Sequence, residues 1–154
     1  MADIRILVQS ADFDLATEYA RFDNDASMGA IVAFVGRVRD LDQSITAMHL
    51  EHYPGMTEKA LAKIVGEACQ YWPLQAVTVI HRIGALQAAE QIVLVLTASK
   101  HRQAAYESNA FIMDFLKTQA PFWKKEGTAA CLQWVDARSS DQGALDRWQY
   151  LRVV

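Results

Sequence analysis

Three lysines surround a proline–aromatic step in Leu116-Lys117-Thr118-Gln119-Ala120-Pro121-Phe122-Trp123-Lys124-Lys125-Glu126, which reads as a turn closing an apolar helix. An ammonium held beside aromatic bulk and a rigid proline is partly desolvated, which suits it to proton transfer or charge stabilisation. A second basic cluster, Ser99-Lys100-His101-Arg102, follows the apolar run 92–96, where a strand hands over to a helix. Free N–H groups at a helix start, with cations beside them, favour an anion. A third cluster, Gly36-Arg37-Val38-Arg39, closes the apolar run 31–35. Positive charge gathered at three element ends, in a chain of formal net charge −3, points to a pocket for a small anionic ligand.

The elements that must position these groups follow from periodicity. Ile4, Ile6 and Val8 alternate with Arg5, Leu7 and Gln9 as in a half-buried strand. Asp12 or Asp14 caps a short helix with Leu15, Tyr19 and Phe22 on one face. Strands are expected over 29–38 and 46–53, with a polar loop at 40–44 between them and Pro54-Gly55 closing the second. Thr57 is expected to cap a helix carrying Leu61, Ile64, Val65, Ala68 and Trp72 at helical spacing. The runs 76–83 and 91–98 read as an antiparallel pair around Gly84. A helix over 102–119 points Ala104, Ala105, Ser108, Phe111, Ile112 and Phe115 inward and stops before Pro121. A strand at 131–135 and a short helix at 140–148 complete the chain. This order predicts an α+β fold, a mixed or antiparallel sheet packed with helices, in one domain spanning 1–154.

Composition narrows the function classes. A chain of 154 residues buries enough surface for a core without disulfides or a cofactor. No long Lys/Arg run provides the broad basic face that nucleic acid requires. Cys69 and Cys131 lack C-x-x-C spacing and read as small core hydrophobes. In His49-Leu50-Glu51-His52, alternation puts His49 and Glu51 on one face and His52 on the other, which disfavours a metal site. His81 lies inside an apolar strand and reads as a structural, hydrogen-bonded histidine. With neither a leader-like start nor a membrane-length apolar run, a cytoplasmic protein is expected.

Taken together, Gly36-Arg37-Val38-Arg39, Leu50-Glu51-His52-Tyr53-Pro54-Gly55-Met56, His81-Arg82-Ile83-Gly84, His101-Arg102 and the segment from Leu116-Lys117 through Pro121-Phe122-Trp123-Lys124-Lys125-Glu126 form a pattern. In this order and spacing it resembles the large, catalytic subunit of molybdopterin synthase, over nearly the whole chain. The resemblance implies that family's fold and a sulfur transferase of molybdenum cofactor biosynthesis. Its sulfur donor would be a small ubiquitin-like subunit with a C-terminal glycine thiocarboxylate. The acceptor would be cyclic pyranopterin monophosphate, which gains a dithiolene. It further implies a homodimer of large subunits within a heterotetramer, and no cofactor.

Carried over by position, Arg37, Val38, Arg39, His101, Arg102, Lys117, Lys124, Lys125 and Glu126 would line the substrate pocket, with Arg138 as a further anion-binding arginine. Lys117 and Lys124 are the candidates for acid, base or electrostatic catalysis, whereas Lys125 reads as solvated with respect to catalysis. A continuous helix from Arg102 to Lys117 would separate those two groups by roughly 22 Å. Either the helix breaks, or one pocket takes the lysines from one subunit and His101-Arg102 from another. The short loop at 40–44, Ala88-Ala89-Glu90 and Lys100 depart from the family's usual pattern. A non-catalytic module that binds a ubiquitin-like partner or phosphorylated metabolite is the competing function. A phosphate-ester hydrolase lacks a visible nucleophile–base pair or metal cluster.

Overall fold

The structure is a computed structural model describing residues 1–22, 25–40, 47–128, 131–135 and 139–152. Its elements are β1 (Asp3–Gln9), α1 (Leu15–Ala20), β2 (Ala30–Arg37), β3 (Ala47–His52), α2 (Met56–Tyr71), β4 (Leu74–Arg82), β5 (Gly84–Gln87), β6 (Gln91–Ser99), α3 (Arg102–Gln119), β7 (Phe122–Thr128), β8 (Cys131–Val135), α4 (Ser139–Asp146) and α5 (Gln149–Arg152). One sheet has the order β1-β4-β6-β2, with β1 parallel to β4 and the other pairs antiparallel. The second, β5-β3-β7-β8, is wholly antiparallel.

β4 and β6 are apolar on both faces because both faces are covered. Val77, Val79, Val93 and Val95 join the cluster under α2 and α3, while Ile80, Leu94 and Leu96 pack with Phe13 on the reverse side. Helix α3 has the expected bounds, and its inward stripe is buried as the spacing requires. Phe111 is fully buried at its centre, with Tyr71, Trp72, Phe115 and Trp148 around it at ring-centroid distances of 4.5–5.8 Å. That cluster clamps α3 rigidly between α2, the sheet and the C-terminal helices. The helix is therefore a fixed strut whose two ends carry candidate site residues.

Several local expectations are corrected. Glu18 turns inward on α1 and takes both Arg5 and Arg21 at 3.1 Å, leaving Leu15 and Tyr19 exposed. Leu7 packs against the second core cluster, so β1 is apolar on both faces. Gly55, not Thr57, caps α2: its φ of +83° suits glycine, and its N–H donates to Glu58 Oε2 at 2.6 Å. Thr57 is buried in the first turn, where its hydroxyl donates to the Pro121 carbonyl oxygen at 3.0 Å. That bond ties the start of α2 to the step between α3 and β7. The stretch expected as a Pro-Phe-Trp turn continues directly into β7, and β5 leaves the first sheet to edge the second; neither strand was expected. The loop expected at 40–44 lies outside the described residues beyond Asp40.

Candidate functional site

The lysine-bearing segment is arranged by strand register. Phe122, Lys124 and Glu126 of β7 lie opposite His52, Leu50 and Met48 of β3, so these six share one face. Met48 and Leu50 are buried there with Val38 and Leu86, and Lys124 rises beside them to meet Glu126 at 2.8 Å. The same alternation sends Lys125 to the opposite face, across from His49. Lys125 is thus not brought together with Lys124 and Glu126. On that outer face His49 and Glu51 lie 3.6 Å apart, as alternation predicted, and no metal-binding cluster occurs among the described residues.

Lys117 is exposed in the last turn of α3. Five residues on, Phe122 stacks on His81 with centroids 3.9 Å apart. His81 is buried, and burial above all holds its pKa down to about 4, against an opposing hydrogen bond to the Arg82 carbonyl; the nearby Lys117 and His52 charges lower it further. The imidazole is therefore neutral at ordinary pH. Tyr53 meets Trp123 edge-to-face at 4.1 Å, and both rings are partly exposed.

The Arg37–Arg39 segment comes from the end of β2, where the register shifts between Gly36 and Arg37. Val38 is locked to the β5–β6 turn through its N–H to Glu90 O at 2.9 Å and its carbonyl from Ala89 N at 2.8 Å. Arg37 Nε donates to Ala89 O at 2.9 Å, and the rest of the guanidinium fork has no hydrogen-bond partner among the described residues. Buried Arg82 braces the same turn by donating to Gln91 O at 2.9 Å and Ser10 O at 3.1 Å. A pocket of about 310 Å³ is lined by Arg37, Val38, Arg39, Asp40, Ala88 and Ala89. Val38 forms its floor, because its side chain is almost wholly in the core. A larger hollow of about 700 Å³ lies beside β1, but its Arg5 and Arg21 are both committed to Glu18.

His101 and Arg102 lie at the other end of the molecule. His101 is the N-cap of α3 without a side-chain cap bond, and both residues are exposed. Gly29 shapes this corner: a Cβ there would meet the Lys100 carbonyl oxygen at 2.2 Å. Ala30 pairs with Ser99 and Arg37 with Gln91, so the length of the sheet separates His101 from the Arg37 pocket. Helix α3 is unbroken, which removes the option that a break brings Arg102 to Lys117. Arg138 lies outside the described residues.

Sequence reasoning had read His81 as structural and His52 only as off the metal face. The structure stacks His81 on Phe122 and brings it within electrostatic reach of Lys117 and His52, through segments far apart in the chain. The available signal was the alternation Val77, Val79, His81, which aims the histidine at the helix face.

Known proteins supply the family. The family model described as MoaE protein matches residues 8–119. A curated relative from Vibrio cholerae, the molybdopterin synthase catalytic subunit, is 51% identical over 149 residues, covering 96% of this chain and 99% of its own. The molybdopterin biosynthesis MoaE protein of Burkholderia ambifaria has a similar structure, with a TM-score of 0.82 and 52% identity over 97% of this chain and 99% of its own. A chain from the Helicobacter pylori complex of subunits 1 and 2 of molybdopterin-converting factor shares the fold, with a TM-score of 0.72 at 22% identity over 88% of this chain and 92% of its own. The clustered cations, their α+β frame and near-full-length identity of about half lead to one assignment: the chain belongs to the MoaE protein family.

Proposed function

We propose that this chain is the catalytic subunit of a molybdopterin synthase. It takes sulfur from the C-terminal glycine thiocarboxylate of a small ubiquitin-like subunit and delivers it to cyclic pyranopterin monophosphate. The observation that carries this reading is that the Lys124–Glu126 pair lies on the β7 face that covers the apolar cluster of Val38, Met48, Leu50 and Leu86, to which the Arg37–Arg39 segment is anchored through Val38. Arginine forks suit the phosphate oxygens of such a substrate. Glu126 pairs with the Lys124 ammonium, which acts as a local charge, while Lys117, exposed in the last turn of α3, is the group assigned to exchange a proton with the departing oxygen in this reading.

Two copies complete each pocket in this reading. The outer edge of β2 has no strand partner among the described residues, and Ala30 through Gly36 carry no charge. Two such edges paired antiparallel about a two-fold axis would set the Ala30 end of one copy beside the Arg37 end of the other. His101 and Arg102 of one copy then approach Arg37 and Arg39 of the other, closing the gap of roughly 22 Å that a continuous α3 imposes.

Reconstitution with thiocarboxylated small subunit and cyclic pterin, followed by detection of the dithiolene product, tests the function. Wild type is expected to turn over and Lys117→Ala to lose turnover with its fold intact. Absence of product from wild type would leave the non-catalytic binding module as the function. Full turnover by Lys117→Ala would remove that lysine from the chemistry.

A further inference from the structure

The segment Tyr53-Pro54-Gly55-Met56-Thr57 leads from β3 into α2 and grips the chain between the two candidate lysines at two points. Thr57 Oγ1 donates to the Pro121 carbonyl oxygen at 3.0 Å, and the Tyr53 ring meets the Trp123 ring. The segment is also closed on itself: Thr57 N donates to Tyr53 O at 3.0 Å, and Tyr53 N donates to Thr57 Oγ1 at 3.2 Å. A hydroxyl has one proton, a carbonyl only accepts and an amide only donates, so both roles of Oγ1 are fixed. Thr57 is 0% exposed, so solvent does not compete for either bond. Helix α2 does not need this hydroxyl, because Gly55 and Glu58 already cap it. A threonine serving only its own helix would direct its proton to a carbonyl within that helix. Here the proton leaves the element and goes to Pro121.

Pro121 is the centre of a three-residue turn, in which Phe122 N donates to Ala120 O at 2.9 Å, and this turn ends α3 and starts β7. Lys117 precedes it in the last turn of α3, and Lys124 follows it in β7. A last helical turn carries carbonyls without intrahelical partners and opens more readily than the helix centre. Thr57 pins the chain just beyond that end. We propose that Thr57 is a positioning residue of the sulfur-transfer site, whose hydroxyl holds the Pro121 carbonyl and thereby fixes Lys117 at the end of α3 relative to Lys124 on β7. The proposal rests on the roles given to those lysines above. It gives the Tyr53–Thr57 segment a task at the site without any contact to the substrate: it sets the spacing of the two cations on which the chemistry depends.

Thr57→Val keeps the branched shape and removes the hydroxyl, whereas Thr57→Ser keeps the hydroxyl and removes a methyl. With the reconstituted complex, Thr57→Val is expected to lower kcat about tenfold, with KM for the pterin within about twofold, because the arginine pocket stands on other segments. Thr57→Ser is expected to stay within about threefold of wild type in kcat. A second readout needs no turnover: amide hydrogen exchange, followed by mass spectrometry of peptides covering 118–124. Loss of one buried hydrogen bond is expected to speed exchange there about tenfold in Thr57→Val and to leave it near wild type in Thr57→Ser, with the centre of α3 unchanged in both. Unchanged exchange at the turn, or wild-type kcat, in folded Thr57→Val would overturn the proposal; so would a Thr57→Ser chain as slow as Thr57→Val. Should Thr57→Val fail to fold, Thr57→Ala carries the same expectations, and normal kcat or normal exchange in it would equally overturn the proposal. Full turnover in both Lys117→Ala and Lys124→Ala would instead defeat the reading beneath the proposal, with the faster exchange at the turn left standing.

Discussion

Replacing His81 by glutamine should flatten the acid side of this protein's stability profile. The imidazole is buried, and its pKa in the folded chain is about 4, against 6.5 for an unperturbed histidine. Because the folded value is the lower one, the unfolded chain binds more protons between these limits, and stability falls as pH drops through the window. One pKa unit corresponds to about 1.4 kcal/mol. Between about pH 7 and pH 5 the unfolded histidine passes from mostly neutral to almost fully protonated while the folded one stays mostly neutral, which costs about 2 kcal/mol. Urea unfolding followed by tryptophan fluorescence reads this directly, since Trp72 and Trp148 sit in the core. Wild type is expected to lose about 2 kcal/mol more than His81→Gln over that interval. Every other titrating group is common to both chains, so equal losses would refute the buried neutral histidine.

Two further outcomes follow from the arginine pocket. Ala89 is held at a φ of 73° in the β5–β6 turn, so Ala89→Gly is expected to raise stability by about 1 kcal/mol in thermal unfolding; a lowered Tm would contradict the strain. Arg39 is exposed beside the pocket, and Arg39→Ala is expected to weaken binding of the cyclic pterin about tenfold or more with an unchanged Tm. Calorimetric titration showing normal affinity would remove that contact.

The sequence made some elements plain and hid others for identifiable reasons. Helix α3 was legible to its ends because a long amphipathic stripe runs into Pro121, and tertiary packing then agrees with the stripe. The β4–β6 pair was legible because central strands concentrate branched apolar residues. β7 was hidden because its site-facing side carries Phe122, Lys124 and Glu126, so charge stands where a core strand would show hydrophobes. Glu18 misled because one buried carboxylate satisfies two arginines, a compensation that periodicity does not reveal. The basic clusters were visible as residues, but their grouping was not. Register joins Lys124 to Glu126 and the β5–β6 turn seats Arg37, while the straight course of α3 holds Arg102 far from Lys117. Strand alternation likewise separates Lys125 from Lys124, and Val38 lines the arginine pocket while most of its side chain packs in the core.

The central claim is that cations from the two ends of this fold serve one anionic substrate by way of two copies. Mixed dimers, purified through different tags on Lys117→Ala and Arg102→Ala chains, measure it most directly. If sites are shared, each mixed dimer holds one intact pocket and one doubly defective pocket, so turnover of about half the wild-type value is expected from two inactive parents. If each chain builds its own pocket, every pocket carries a lesion. Mixed dimers as inactive as either parent would contradict the account.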